Sequence, residues 1–187
     1  MVASWPEPVE RVSSFLRKAG AEARIEEFRG GTPTAAAAAA AVGCELGQIV
    51  KSIVLVCDER PVLALVPGDR RGDPDKVARA ASASGARIAS PREVERATGF
   101  EPGGVAPFGH AGIETVLLDP SFLRHDVVWA GAGSPQHMVG LAPAELVRLT
   151  RARTVDVVQD DPYDFASDLA TELTADSPGD GGESKER

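Results

Sequence analysis

The chain has 187 residues, 43% hydrophobic and 26% charged, which suits one domain with a substantial buried core. No apolar run reaches the length of a bilayer span, and two cysteines without a CxxC pattern exclude a disulfide framework or a structural zinc, so Cys44 and Cys57 read as reduced packing residues. The net charge of −8 sits at the C-terminal end, where Asp156 to Arg187 carry ten acidic residues against Lys185 and Arg187; residues 1–155 are neutral, so the acidity neither excludes a nucleic-acid partner nor supports one.

Met1 to Pro8 lack a basic segment followed by an apolar one, and a cytoplasmic location is expected. Val9, Val12, Phe15 and Leu16 recur at helical spacing before Gly20, predicting a helix over 7–19. A short strand follows over Ala23 to Phe28. After the break at Gly30 to Pro33, Thr34 is placed to cap a helix through the alanine run Ala35 to Ala41, ended by Gly43. The β-branched stretch Ile49 to Cys57 and the run Val62 to Val66 predict two antiparallel strands joined through Asp58 to Pro61. Lys51 is out of place in such a strand. Two readings stand for it: an edge position with its ammonium in water, or a projection into a pocket where it holds a phosphate or polarises a carbonyl.

Pro67 to Gly72 reads as a turn, Asp73-Pro74 opens a helix through about Ser82, and Ala86 to Ala89 is a short strand. Ser90-Pro-Arg-Glu93 carries a capping-box pattern for a helix through Ala97. That helix delivers the chain into Thr98 to His110, a glycine- and proline-rich stretch in which the amides of Gly103, Gly104 and Val105 are candidates to face a bound oxygen, with Pro107 and Phe108 beside them. Strands are predicted over Glu114 to Leu118 and Val127 to Ala130, then a second glycine turn, Gly131 to His137, an apolar run Met138 to Leu141, a helix from Pro143 to Leu149 and a last strand over Thr154 to Val158. From Gln159 onward the composition predicts a disordered acidic tail, giving one domain over 1–158 and a tail over 159–187.

Familiar catalytic signatures are missing from the sequence, including G-x-S-x-G, H-E-x-x-H and a Walker loop. His110, His125 and His137 lie far apart without acidic or cysteine ligands around them, so metal binding is not expected. His125 reads as a solvated residue, while His137 is open between pocket wall and surface. One lysine and two glycine loops remain, an arrangement suited to backbone amides stabilising an oxyanion beside a cation, or to binding alone.

Gly47 to Val54, Ala97 to Gly109, Val128 to Gly133 and Gly140 to Leu146 together resemble the YbaK/EbsC and ProX proteins, free-standing relatives of the editing insertion of bacterial prolyl-tRNA synthetase. The resemblance covers roughly residues 8–158. It implies an α+β fold with a curved, mixed, barrel-like sheet and helices packed outside. It also implies hydrolysis, without metal or cofactor, of the ester joining a wrong amino acid to the 3′ end of tRNA, by water or a ribose hydroxyl. Under that resemblance Lys51 holds the terminal adenosine or its phosphate. Gly103, Gly104 and Val105 line the aminoacyl pocket with Pro107 and Phe108 as further binding residues, Gly131 and Gly133 form its opposite wall, Ser134 to His137 define a pocket different from that of the cysteinyl-tRNA branch, and Phe28 matches a position where some members place an aromatic. Members acting on cysteinyl-tRNA tend to carry a serine where Gly131 aligns and an aspartate where Met138 aligns, which argues against that specificity. The partners implied are a mischarged tRNA and a synthetase or elongation factor that delivers it, with Arg70, Arg71, Lys76 and Arg79 as a local phosphate patch. The competing reading is a non-catalytic module that binds an adenylate-like ligand, a tRNA end or a synthetase.

Overall fold

The computed structural model describes residues 5–110 and 112–160. Its elements run α1 (Glu7–Lys18), β1 (Arg24–Glu27), α2 (Ala35–Val42), β2 (Ile49–Cys57), β3 (Arg60–Pro67), α3 (Pro74–Ala80), β4 (Ala86–Ile88), α4 (Pro91–Thr98), β5 (Thr115–Leu118), β6 (Val128–Gly131), β7 (His137–Leu141), α5 (Pro143–Thr150) and β8 (Arg153–Thr154). The strands join in one mixed sheet in the order β1-β7-β6-β2-β3-β5-β8, with β4 paired to β2. Among the described residues this sheet is open, with β1 and β8 at its edges.

Alternation along the central strands buries both sheet faces. Val50, Val54, Leu63 and Leu65 point into the main core, with Val12 and Leu16 of α1, Phe100 and Phe108 of the first glycine loop, and Leu146 of α5. Leu55, Cys57, Val62, Ala64 and Val66 point the other way, onto Val77 of α3 and onto Val157 and Val158. A smaller cluster sets Ala38 and Ala39 of α2 against Ile49 and Met138, with Phe28 and Trp129 beside them. The alanine run is helical because the side chain of Thr34 accepts from Ala37 N and Gly43 caps the far end at φ 72°. Thr34 and Gly43 set its length, and its small side chains pack it against Ile49 and Met138.

Two expectations change. The connection between β2 and β3 is Asp58-Glu59 alone, both at positive φ (45° and 66°), so Arg60 and Pro61 belong to β3. Two consecutive left-handed residues match the right-handed twist of the strands, and this outweighs the turn signal of Pro61. The last strand ends at Thr154; Val158 makes an isolated bridge to Gly72 instead of extending a ladder. Val157 and Val158 nonetheless read as apolar in the sequence because both are buried, at 0% and 6% exposure. Cys57 is buried and Cys44 half-buried, both as free thiols, and burial raises both thiol pKa values above the usual range.

Candidate functional site

The first glycine loop is held at both ends before it reaches its glycines. The Ser90/Glu93 capping box starts α4, and Gly99 ends it at φ 71°. Phe100 N donates to Thr98 Oγ1 at 3.0 Å, the Arg11 guanidinium lies 4.3 Å over the Phe100 ring, and Arg11 also donates to Gly99 O. Farther along, Phe108 stacks on Phe15 at 5.4 Å, and the His110 ring lies 3.0 Å from Pro107 O. Between these anchors Gly103 is exposed while Gly104, Val105, Ala106 and Pro107 are buried.

The second glycine loop presses directly on the first. A Cβ on Gly104 would lie 2.7 Å from Ser134 Cα, one on Gly131 would lie 2.9 Å from Val105 O, and one on Gly133 would lie 2.6 Å from Pro8 O. Only glycine permits this contact of backbone with backbone. Gly133 N donates to Gly104 O across the seam at 3.0 Å, and Gly104 N donates to Glu101 O at 3.1 Å. The Gly104 amide is therefore committed within the loop, a correction to its reading as a free donor. Among the described residues, the amides of Gly103 and Val105 have no such partner.

The second loop is pinned from the other side by the segment after β1. Phe28 N donates to Gln136 O at 2.7 Å, and Thr32 donates to Pro135 O through both its amide and its hydroxyl. His137, opposite Glu27 in the β1–β7 ladder, is only 3% exposed. Its Nδ1 lies 2.7 Å from Ser134 Oγ, the Trp5 ring meets it edge-on at 5.9 Å, and its Nε2 is buried without a hydrogen-bond partner among the described residues. Burial lowers the pKa of His137, and of His110, below the ordinary histidine value. His137 is thus an interior residue, and His125 is half-buried ahead of β6 with its ring 3.4 Å from Arg124 Nε.

Lys51 is brought to the loops by strand register. Val50 pairs with Ala130 in the parallel β2–β6 ladder, so Lys51, one residue past that last pair, lies level with Gly131. By alternation its side chain leaves the sheet on the face of Ile49 and Ile53, whereas His137 lies on the face of Val139 and Leu141. The half-buried Lys51 ammonium donates to Arg70 O. Neither reading of this side chain from sequence anticipated that contact. Phe28 lies on the Lys51 side, in the small cluster with Ile49 and Met138.

A neighbour of Lys51 escaped the sequence reading. On the edge away from β3, β2 pairs with β6 at Ile49 and Val50 and with β4 from Leu55 to Cys57, and Val54 O accepts from Ala89 N. Ser52 lies in the interval between those two partners, and by strand alternation its N–H and C=O point into it. Its Oγ is buried without a hydrogen-bond partner among the described residues. A lone serine in a β-branched run carries no local signal; only the change of partner along one strand edge singles it out.

Of the predicted phosphate patch, Lys76 is already engaged. Its Nζ lies 2.9 Å from Asp156, 2.6 Å from Asp160 and 2.8 Å from Val158 O. Arg70 donates to Gln159 O at 2.6 Å, and Arg71 O accepts from Gln159 N. No group of three or more His, Cys, Asp or Glu side chains suited to a metal ion occurs among the described residues, and none of their helices is long and apolar enough to cross a membrane. A shallow cleft of about 250 Å³ lies elsewhere, between the end of α3 and the β5–β8 edge.

The sequence pattern that defines the family described as "Aminoacyl-tRNA editing domain" matches residues 30–149. The chain is 34% identical over 138 residues to the uncharacterized protein YwhH of Bacillus subtilis, covering 73% of this chain and 87% of that one. It is 30% identical over 148 residues to a proline–tRNA ligase of Nitratidesulfovibrio vulgaris, covering 79% of this chain but only 23% of the ligase. A crystal structure described as a candidate trans-editing enzyme for prolyl-tRNA synthetase superposes with a TM-score of 0.78 at 38% identity, covering 83% of this chain and 99% of that one.

Proposed function

The chain belongs to the aminoacyl-tRNA editing domain family, and from that premise we propose that it hydrolyses the ester of mischarged tRNA in trans, using the seam between its two glycine loops. The observation that carries this reading is the direct backbone contact of Gly104 and Gly131 with Ser134 and Val105, with Gly131 level with Lys51 on the neighbouring strand. Such a seam offers fixed amide dipoles at no cost in side-chain ordering, as stabilisation of a developing oxyanion requires. In this reading the amides of Gly103 and Val105 face the ester carbonyl oxygen. Lys51 exchanges its contact with Arg70 O for the phosphate or adenosine of the tRNA end. Ser52 supplies further polar groups in the interval of the sheet edge, and Phe28 packs against the substrate from the Lys51 side.

Water, oriented by a neighbouring ribose hydroxyl, adds to the carbonyl carbon and gives up its proton to solvent. The tetrahedral intermediate expels the ribose oxygen, which takes up a proton, and the amino acid leaves as a carboxylate. Pro107 and Phe108 hold the first loop in place, Gly133 closes the second against Pro8, and Ser134 with His137 fixes the shape of the wall behind it.

The test is a panel of mischarged tRNAs, including Ala-, Ser- and Cys-tRNAs, followed for ester loss with the parent chain and with Lys51→Ala. At least one ester should be released above its spontaneous rate, and Lys51→Ala should slow that release about 100-fold, the scale of losing one electrostatic contact to the transition state. No release from any of them would leave the binding-module reading in its place. A variant as fast as the parent would remove Lys51 from the site.

A further inference from the structure

One edge of the sheet is β1, and among the described residues no strand pairs with its far side. Phe28 N donates to Gln136 O, and Glu27 lies opposite His137, so Phe28, Glu26 and Arg24 are the residues bonded to Gln136 and β7. By alternation the N–H and C=O groups of Ile25 and Glu27 point away from the sheet. Such an edge accepts a further strand, and charged side chains on it ordinarily keep other copies of a chain away. The charges of β1 are ordered differently. Arg24 and Glu26 share one face, meet at 3.0 Å, and are 81% and 30% exposed. Ile25 lies on the opposite face, half-buried against the main core.

A second copy laid antiparallel on this edge pairs outward-pointing residues with outward-pointing ones, which restricts the registers to steps of two residues. With Ile25 opposite Ile25 of the second copy, each Arg24 faces the other copy's Glu26 and each Glu27 faces Ala23. A step one way puts Arg24 opposite Arg24, a step the other way puts Glu26 opposite Glu26, and a further step puts Glu27 opposite Glu27. Like charges directly opposite destabilise a strand pair, whereas opposite charges favour it. We infer that β1 is a self-complementary docking edge, on which a second copy of this chain pairs across a two-fold axis with Ile25 on Ile25 and Arg24 on Glu26. The dimer is isologous, and its sheet runs through both chains. One short strand from each chain makes a contact below the standard interface size, so the association is weak and concentration-dependent. It does not depend on what the glycine seam binds.

Sedimentation equilibrium of the full chain tests this without any substrate. Between about 5 μM and about 500 μM the mass of the parent should rise from one chain toward two, the range in which so small a contact associates. Arg24→Glu and Glu26→Arg each set like charges opposite one another twice in the pair, and each should weaken association at least ~10-fold. Thermal melts of both should stay close to the parent's, because the exposed Arg24–Glu26 bridge within one chain holds little of the fold. An equimolar mixture of the two variants, one of them fluorescently labelled, should recover the association, since two carboxylates of one chain then face two guanidinium groups of the other. A parent that stays monomeric over the whole range overturns the inference. So does a single variant that associates as the parent does, because the dimer then uses another surface, and so do two variants that remain apart when mixed.

Discussion

Ser52 carries a test that separates a structural role from a functional one. A buried hydroxyl without a partner costs the fold about 1–3 kcal/mol, and replacing it by a methyl group removes that cost. Ser52→Ala is therefore expected to leave stability unchanged or raise it by about 1 kcal/mol in a denaturant titration, and to lower the deacylation rate roughly ten-fold. A drop in stability would mean that the hydroxyl is bonded in the folded protein, and an unchanged rate would take the sheet-edge interval out of the site. The glycine loops were legible in the sequence because their composition is unusual, and Lys51 because a charge stands out in a β-branched run. Ser52, the commitment of the Gly104 amide and the burial of His137 were not, because each is decided by a partner distant in the chain: the strand break beside β2, Glu101 O, and Trp5 with Ser134.

At the scale of elements, α4 sets where the first loop begins, and its start can be weakened without touching the loop. Ser90→Ala removes the cap and is expected to cost about 1 kcal/mol of stability. The Glu93 carboxylate receives two bonds from Arg87 and one each from Ser90 N and Ser90 Oγ. These hold its pKa well below the ordinary carboxylate range, the Arg87 bonds contributing most. A depressed folded pKa gives stability that is fully present above the unfolded value, about 4.3, and is lost as pH falls from there toward the folded value. Thermal melts between about pH 6 and pH 3 should therefore show a shallower acid loss in Glu93→Gln than in the parent; equal slopes would mean that the cluster does not persist in solution. This cap was written in the sequence, as was the helix capped by Thr34, because both signals are local. The short turn at Asp58-Glu59 was obscured by Pro61, which serves here as a β3 residue. The end of the last strand was misplaced because burial of Val157 and Val158 by α3 and β3 produces the same apolar pattern as a ladder.

For the whole molecule, the decisive segment is the one from Val155 to Asp160, which closes the second face of the sheet and sets Asp156 and Asp160 on Lys76. A boundary at 158 follows from composition alone; Gln159 is nonetheless bonded to the body, its N–H donating to Arg71 O and its carbonyl oxygen accepting from Arg70. Val157 is fully buried beneath α3 and hydrogen bonded through its carbonyl oxygen to Asp73 N, which starts that helix. Removing its two methyl groups leaves a void where a rigid sheet and a short helix meet, and Val157→Ala in the full chain should cost about 2 kcal/mol, a large part of a typical margin of 5–15 kcal/mol. Ending the chain after Asp160 keeps every contact among the described core residues and is expected to shift stability by less than about 0.5 kcal/mol. Urea titrations of the three proteins check both statements. A shortened chain as weak as Val157→Ala would mean that residues past 160 pack on the body, and the packed unit would then have to be extended into the acidic segment. A Val157→Ala protein as stable as the parent would mean that the segment is only loosely laid on the sheet.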